Sequence, residues 1–161
     1  MINLNKIFKR LKSYFKIFLW KIIYGKRIKF GRKNIFYSNT NLIIEKKGLV
    51  KLGNNCFFNR NTSINCMEKI EIGNNCIFGE NICIYDHDHC FSNLSIPIKE
   101  QGYKTSPIYI GDNCWIGSNV VILKGVKIGS NVVIGAGTIV TKDIQDKVVV
   151  YSKQNEIRKE Y

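Results

Sequence analysis

From residue 110 onward the chain repeats in sixes. An aliphatic residue leads every block, at Ile110, Ile116, Ile122, Ile128, Ile134 and Val140, and Gly follows at 111, 117, 129 and 135. The same phase recurs upstream at Leu52, Phe58 and Ile64, again at Ile72, Phe78 and Ile84, and in weaker form from Phe30. A period of six suits neither an amphipathic helix nor a β-hairpin. It suits a two- or three-residue strand followed by a tight turn, with one apolar side chain pointing inward per block. Gly and Asn supply the turns because both tolerate positive φ. Three blocks close one triangular coil, and stacked coils bury a continuous apolar column.

Coil starts at Phe30, Leu52, Ile72, Ile110 and Ile128 predict about five coils. The step from 110 to 128 is one uninterrupted coil of 18 residues, whereas the step from 72 to 110 is 38. The excess, about twenty residues by that count, must leave the stack as a loop, placed at 90–107. Counted from Ile72, the regular coil ends at His89, inside the segment "YDHDHCF" (85–91), which holds the only two histidines of the chain.

The first 27 residues follow another rhythm. Leu4, Phe8, Leu11, Phe15, Phe18 and Ile22 share one helical face, and Lys6, Lys9, Arg10, Ser13 and Lys16 lie opposite. Lysines break every apolar run, so this helix does not span a bilayer. It either caps the end of the coil stack or lies on an anionic membrane through residues 4–24. The chain thus divides into a basic amphipathic segment at 1–27, a repeat domain at 28–147 and a tail at 148–161.

Charge sharpens this division. The formal net charge is +13, but residues 1–33 hold eleven Lys or Arg and no acid. The remaining residues hold fourteen bases against twelve acids. A body-wide nucleic-acid surface is therefore not indicated. Three of the six cysteines, Cys56, Cys76 and Cys114, recur at one phase of the repeat, after "LGNN", "IGNN" and "IGDN". That placement marks small packing residues rather than disulfide partners. No cleavable signal peptide is evident, and the expectation is a cytoplasmic protein with reduced thiols.

His87 and His89 admit three readings: polar loop residues, a weak metal site with an acid, or a general base. No third soft ligand is spaced for a metal. Imidazole suits removal of a hydroxyl proton near neutrality. Asp86 or Asp88 either orients an imidazole or caps a turn.

The block "IGDNCWIGSNVVILKGVKIGSNVVIGAGTIVTKDI" resembles the left-handed parallel β-helix acyltransferases with hexapeptide repeats. Within that family it is most similar to the galactoside, maltose and capsular-polysaccharide O-acetyltransferase branch. The resemblance covers about residues 30–150. It implies an all-β, left-handed β-helix carrying the N-terminal amphipathic helix and a short C-terminal extension. Left-handedness comes from the resemblance alone, since generic chirality favours right-handed crossovers. It further implies acetyl-CoA as cosubstrate with no metal, a sugar or glycan acceptor, and a homotrimer.

The resemblance also implies roles. The catalytic base matches His89, with His87 as runner-up. Asn59 matches an acceptor-binding amide. Trp115 would line the donor or acceptor side of the site. Gly117 and Ser118 would present a backbone N–H to the thioester carbonyl. Gly135 and Ala136 would meet the pantetheine arm, with Thr141 and Lys142 toward the nucleotide end. The family's Gly–Pro turn after the last coil is missing, and Lys153, Arg158 and Lys159 remain as charges for a 3′-phosphate. The expectation is an O-acetyltransferase of surface polysaccharide biosynthesis. Its rivals are N-acetylation of an amino sugar and a non-catalytic β-helix scaffold.

Overall fold

The computed structural model describes residues 4–152, with side chains from residue 7 onward. The body is a parallel β-helix with three faces. The first face stacks Ile28–Phe30, Leu49–Leu52, Lys69–Ile72, Ile108–Ile110 and Lys127–Ile128. The second stacks Ile35–Phe36, Phe57–Phe58, Ile77–Phe78, Trp115–Ile116, Val133–Ile134 and Val149–Val150. The third stacks Asn41–Ile44, Ser63–Cys66, Cys83–Tyr85, Val121–Ile122 and Ile139–Val140. The stack makes about six turns rather than the five expected. The added strand is Val149–Val150, which pairs with Val133–Ile134. Its "VVV" run has no Gly to announce a repeat block.

Strands of two to four residues suffice because each is hydrogen-bonded to the coils above and below. Register places like on like, for instance Ile116 over Phe78 and under Ile134. Every leading aliphatic residue from Ile110 to Val140 is buried. On the second face, Phe36, Phe58 and Phe78 form a column with ring centroids 4.6 and 4.3 Å apart and planes within 10°. Each fully buried side chain of this kind contributes about 1.5–3 kcal/mol.

The corners explain the Asn content. Asn55, Asn75, Asn113 and Asn131 at the first corner, and Asn39, Asn61, Asn81 and Asn119 at the second, all have φ between 55 and 59°. Left-handed backbone is cheap for Asn, and here its amide also bonds the Asn one coil on, as from Asn61 Nδ2 to Asn81 Oδ1 at 2.9 Å. Cys56, Cys76 and Cys114 are buried beside the first corner, where each Sγ donates to the carbonyl of the next coil's Gly at 3.1–3.2 Å. None of the described cysteines is in a disulfide.

Two features depart from expectation. The excursion leaves the stack at 87 rather than 90, as a β-hairpin in which His87–His89 pairs antiparallel with Tyr103–Thr105. The N-terminal helix, α1 (Leu4–Tyr24), does cap the stack, but not through its predicted apolar face: Ser13, Ile17, Trp20 and Tyr24 turn inward. Ser13 is fully buried and its Oγ accepts the Phe36 N–H at 2.8 Å, while Trp20 meets the Phe36 ring edge-on at 5.0 Å. The apolar stripe of α1 faces away. Lys153, Arg158 and Lys159 lie outside the described residues.

Candidate active site

The histidine segment is built on Asp86, whose side chain is fully buried at the third corner. Its Oδ1 accepts the Met67 N–H at 2.8 Å, and its Oδ2 accepts those of Glu68 and Lys69 at 2.8 and 2.9 Å. The carboxylate therefore closes the turn of the preceding coil. The same Oδ1 lies 3.0 Å from His87 Nδ1. Turn capping and imidazole orientation, set against each other in the sequence, are both performed by Asp86. A carboxylate held by three backbone N–H groups is a rigid acceptor, which selects the tautomer carrying its proton on Nδ1 and leaves Nε2 of His87 as the free acceptor.

His89 lies two residues on, hence on the same side of the hairpin strand, and is exposed. Tyr103, directly across the hairpin, packs against both rings, with centroids 4.5 Å from His89 and 5.4 Å from His87. Asp88 points the other way and pairs with Lys124. Neither aspartate bonds His89 among the described contacts. Tyr103 and Lys124 were missed from sequence. No spacing signals them, because their approach depends on the hairpin register and on the stacking of separate coils.

The second corner carries Gly117, Ser118, Gly135 and Ala136, expected from the sequence on the donor side. At the first corner, backbone N–H groups are closed by a ladder of side chains. The N–H groups of Arg32, Asn54, Asn74, Asp112 and Ser130 are accepted by the side chains of Asn54, Asn74, Asp112, Ser130 and Asp146, each one coil on, at 2.6–3.0 Å. At the second corner one such rung forms, the Glu80 N–H on Ser118 Oγ at 3.1 Å, while the Arg60 N–H turns instead to Asn59 Oδ1. The next rung is Ala136, which has no acceptor. Among the described residues the Ser118 N–H is left without a partner. The coils also run close here, since a Cβ on Gly117 would sit 2.6 Å from Ala136 N. The open N–H, the side-chain-free Gly117 and the Ala136 methyl make a cradle suited to a carbonyl oxygen and a narrow chain.

Trp115 projects outward from the second face and is 55 % exposed. Asn59 belongs to the same corner two coils below Ser118, where its Oδ1 accepts the Arg60 N–H at 2.9 Å. Thr141 and Lys142 are exposed and border a shallow cavity of about 220 Å³ at the far end of the stack. Among the described contacts no hydrogen bond or ring contact joins the histidines to Trp115, Ser118 or Ala136. The two groups of candidate residues sit at different corners of the chain.

Residues 107–142 match the family described as bacterial transferase hexapeptide (six repeats). The chain belongs to the hexapeptide-repeat acyltransferase family. The galactoside O-acetyltransferase of Escherichia coli (strain K12) is 42 % identical over 127 residues, covering 78 % of this chain and 50 % of that protein. The chain spans about half the length of the curated relatives it matches. A galactoside acetyltransferase structure in complex with coenzyme A superposes with a TM-score of 0.71 at 27 % identity, covering 94 % of this chain and 80 % of that one. A hexapeptide-repeat-containing acetyltransferase from Vibrio cholerae gives 0.74 at 25 % identity, covering 87 and 76 %. This hexapeptide-repeat chain therefore has the left-handed β-helix fold of these acyltransferases. No described helix is long and apolar enough to cross a membrane.

Proposed function

We propose that the protein transfers the acetyl group of acetyl-CoA to a hydroxyl of a sugar, in the making of a surface polysaccharide. The observation that carries this reading is the lapse of the corner ladder at Ala136, which leaves the Ser118 N–H open beside Gly117. An imidazole takes the acceptor hydroxyl proton as that oxygen attacks the thioester carbonyl carbon. The carbonyl oxygen gains charge and is held by the Ser118 N–H. The C–S bond then breaks, and the coenzyme A thiolate leaves with the proton returned from the imidazolium. Gly135 and Ala136 flank the pantetheine arm, and Thr141 and Lys142 meet the nucleotide end, Lys142 by charge. Asn59 holds an acceptor hydroxyl.

His89 is the base in this reading, by its match to the family's base and its exposure to an incoming acceptor on the hairpin, two residues beyond the coil exit. The Asp86–His87 bond favours His87 as a second reading.

A homotrimer completes the site. Its two halves lie at different corners of one chain, so a neighbouring copy must bring a histidine corner to a Ser118 corner. The outward row Phe57, Ile77, Trp115, Val133 and Val149 offers an apolar surface for that contact, with Ile77, Trp115 and Val149 at least half exposed. We place the enzyme in the cytoplasm against the inner face of the membrane; the unbridged cysteines suit that compartment.

The test is incubation with acetyl-CoA and a panel of glycosides, read by mass spectrometry. A product heavier by one acetyl group that mild alkali removes is the expected ester. An alkali-stable product would move the assignment to N-acetylation, and no product with any acceptor would favour the scaffold.

A further inference from the structure

Helix α1 presents its two long faces to different surroundings. Toward the stack it turns Ser13, Ile17, Trp20 and Tyr24, tied down by the Ser13–Phe36 bond and by Tyr24 Oη donating to Leu42 O at 2.7 Å. At about 100° per residue, the opposite side carries Phe8, Leu11, Phe15, Phe18 and Ile22. These five side chains are 58–63 % exposed. A contiguous apolar stripe of this kind marks an interaction surface. Lys9, Lys12 and Lys16 run along one border of the stripe, and Arg10 and Lys21 along the other.

On the border nearest the stack, α1 and the second corner enclose a cavity of about 550 Å³. Its lining includes Lys9, Lys12, Lys16, Arg60, Tyr37 and Asn61, and no acidic residue. Lys16 is committed, since its Nζ donates to Tyr37 O at 3.0 Å. Lys9 sits over the Tyr37 ring at 4.9 Å. Lys9, Lys12 and Arg60 have no acidic partner among the described residues.

We propose that α1 docks the enzyme on an anionic lipid surface, its apolar stripe entering the acyl boundary and the Lys9–Lys12–Arg60 cavity enclosing a lipid phosphate. The proposal rests on the membrane-side placement made above and names the face and the headgroup chemistry. Charge decides between a membrane and a second copy of the chain. Two such faces brought together would oppose the five cations bordering the stripe, and Arg60 beside them, with the same set on the other copy, whereas an anionic bilayer neutralises them. Because α1 is bonded along the end of the stack, docking would also set the orientation of the whole body, with its first coil next to the lipid.

The test uses the full chain and flotation with vesicles of phosphatidylcholine, alone or mixed with phosphatidylglycerol. Two triple variants are compared, F8S/F15S/F18S and K9Q/K12Q/R60Q, each checked for an unchanged Tm. The wild type should float with the mixed vesicles only, and less at high salt. Each variant should lose partitioning, the basic one by about a hundredfold, at about fivefold per cation near the surface. No flotation of the wild type overturns the membrane placement without touching acetyl transfer to a soluble acceptor. Equal flotation of the basic variant overturns the phosphate cavity. Stabilisation by glycerol phosphate without vesicle binding would make the ligand a free phosphate and overturn the lipid source. A change of oligomeric state in the F8S/F15S/F18S variant, with flotation intact, would make a second copy the occupant.

Discussion

His87 and His89 differ in what fixes them. His87 is held by a carboxylate that is itself held by three backbone N–H groups, whereas His89 rests on Tyr103 at the open side of the hairpin. With His89 as the base, His89→Ala should lower kcat by roughly two to four orders of magnitude, the usual worth of a positioned base. His87→Ala should cost far less, and coenzyme A should still raise the Tm of both variants. If the His87 variant is the dead one, the Asp86–His87 pair is the catalytic unit. The existence of this segment as a coil exit was legible in the count from Ile72. The division of labour between the two aspartates was not, because it depends on which backbone groups the neighbouring coil leaves unpaired. Cys66 shows the bland side of the same neighbourhood: burial and the nearby Asp86 charge push its thiol up to about 12, so it stays neutral and packs.

At the scale of an element, the repeat block is a turn whose backbone donors need acceptors, and the next coil supplies them. At the second corner the rung above Glu80 fails, because Ala136 offers the Ser118 N–H no acceptor. Ala136→Ser would place a hydroxyl where Ser118 and Ser130 already cap their neighbours at 3.0–3.1 Å. The variant should close the Ser118 N–H and gain a little stability, up to about 1 kcal/mol. Its kcat should fall by about ten- to a hundredfold, part of the worth of one oxyanion donor. An Ala136→Ser enzyme with undiminished kcat would show that the Ser118 N–H does not touch the thioester carbonyl. "IGAG" stands out in the sequence as a block with small residues at its turn. That its alanine unmasks a donor one coil away becomes visible only once the ladder is traced.

For the whole molecule, the three faces are chemically unequal. The first turns Lys29, Lys51, Glu71 and Lys127 outward, with Glu71 bridging Lys51 at 2.6 Å and Lys69 at 3.1 Å. The second turns Phe57, Ile77 and Trp115 outward. A face of that composition is a surface to be covered. Light scattering at micromolar concentration should therefore give a mass of three chains. Trp115→Lys, which introduces three charges around the axis of such a trimer, should shift the mass toward one chain. A wild type that scatters as a monomer would remove the basis for a shared site.

What the sequence determines by itself is whatever repeats: the six-residue period, the buried column from Phe58 to Val140, the positive-φ asparagine corners and the amphipathic periodicity of the helix at 4–24. These are local rules applied many times, so chance matches average out. Tertiary structure alone decides what happens once. It turns Ser13, Ile17, Trp20 and Tyr24 of α1 inward, because the open end of the stack offers an uncovered apolar column and unpaired groups such as the Phe36 N–H that Ser13 can satisfy. It starts the hairpin at 87, because antiparallel pairing with 103–105 recovers backbone hydrogen bonds that a loose loop would forgo. It adds the strand at 149–150, because the last regular coil would otherwise present an unpaired edge. And it parts the histidines from Ser118, because a triangular coil puts successive turns at different corners.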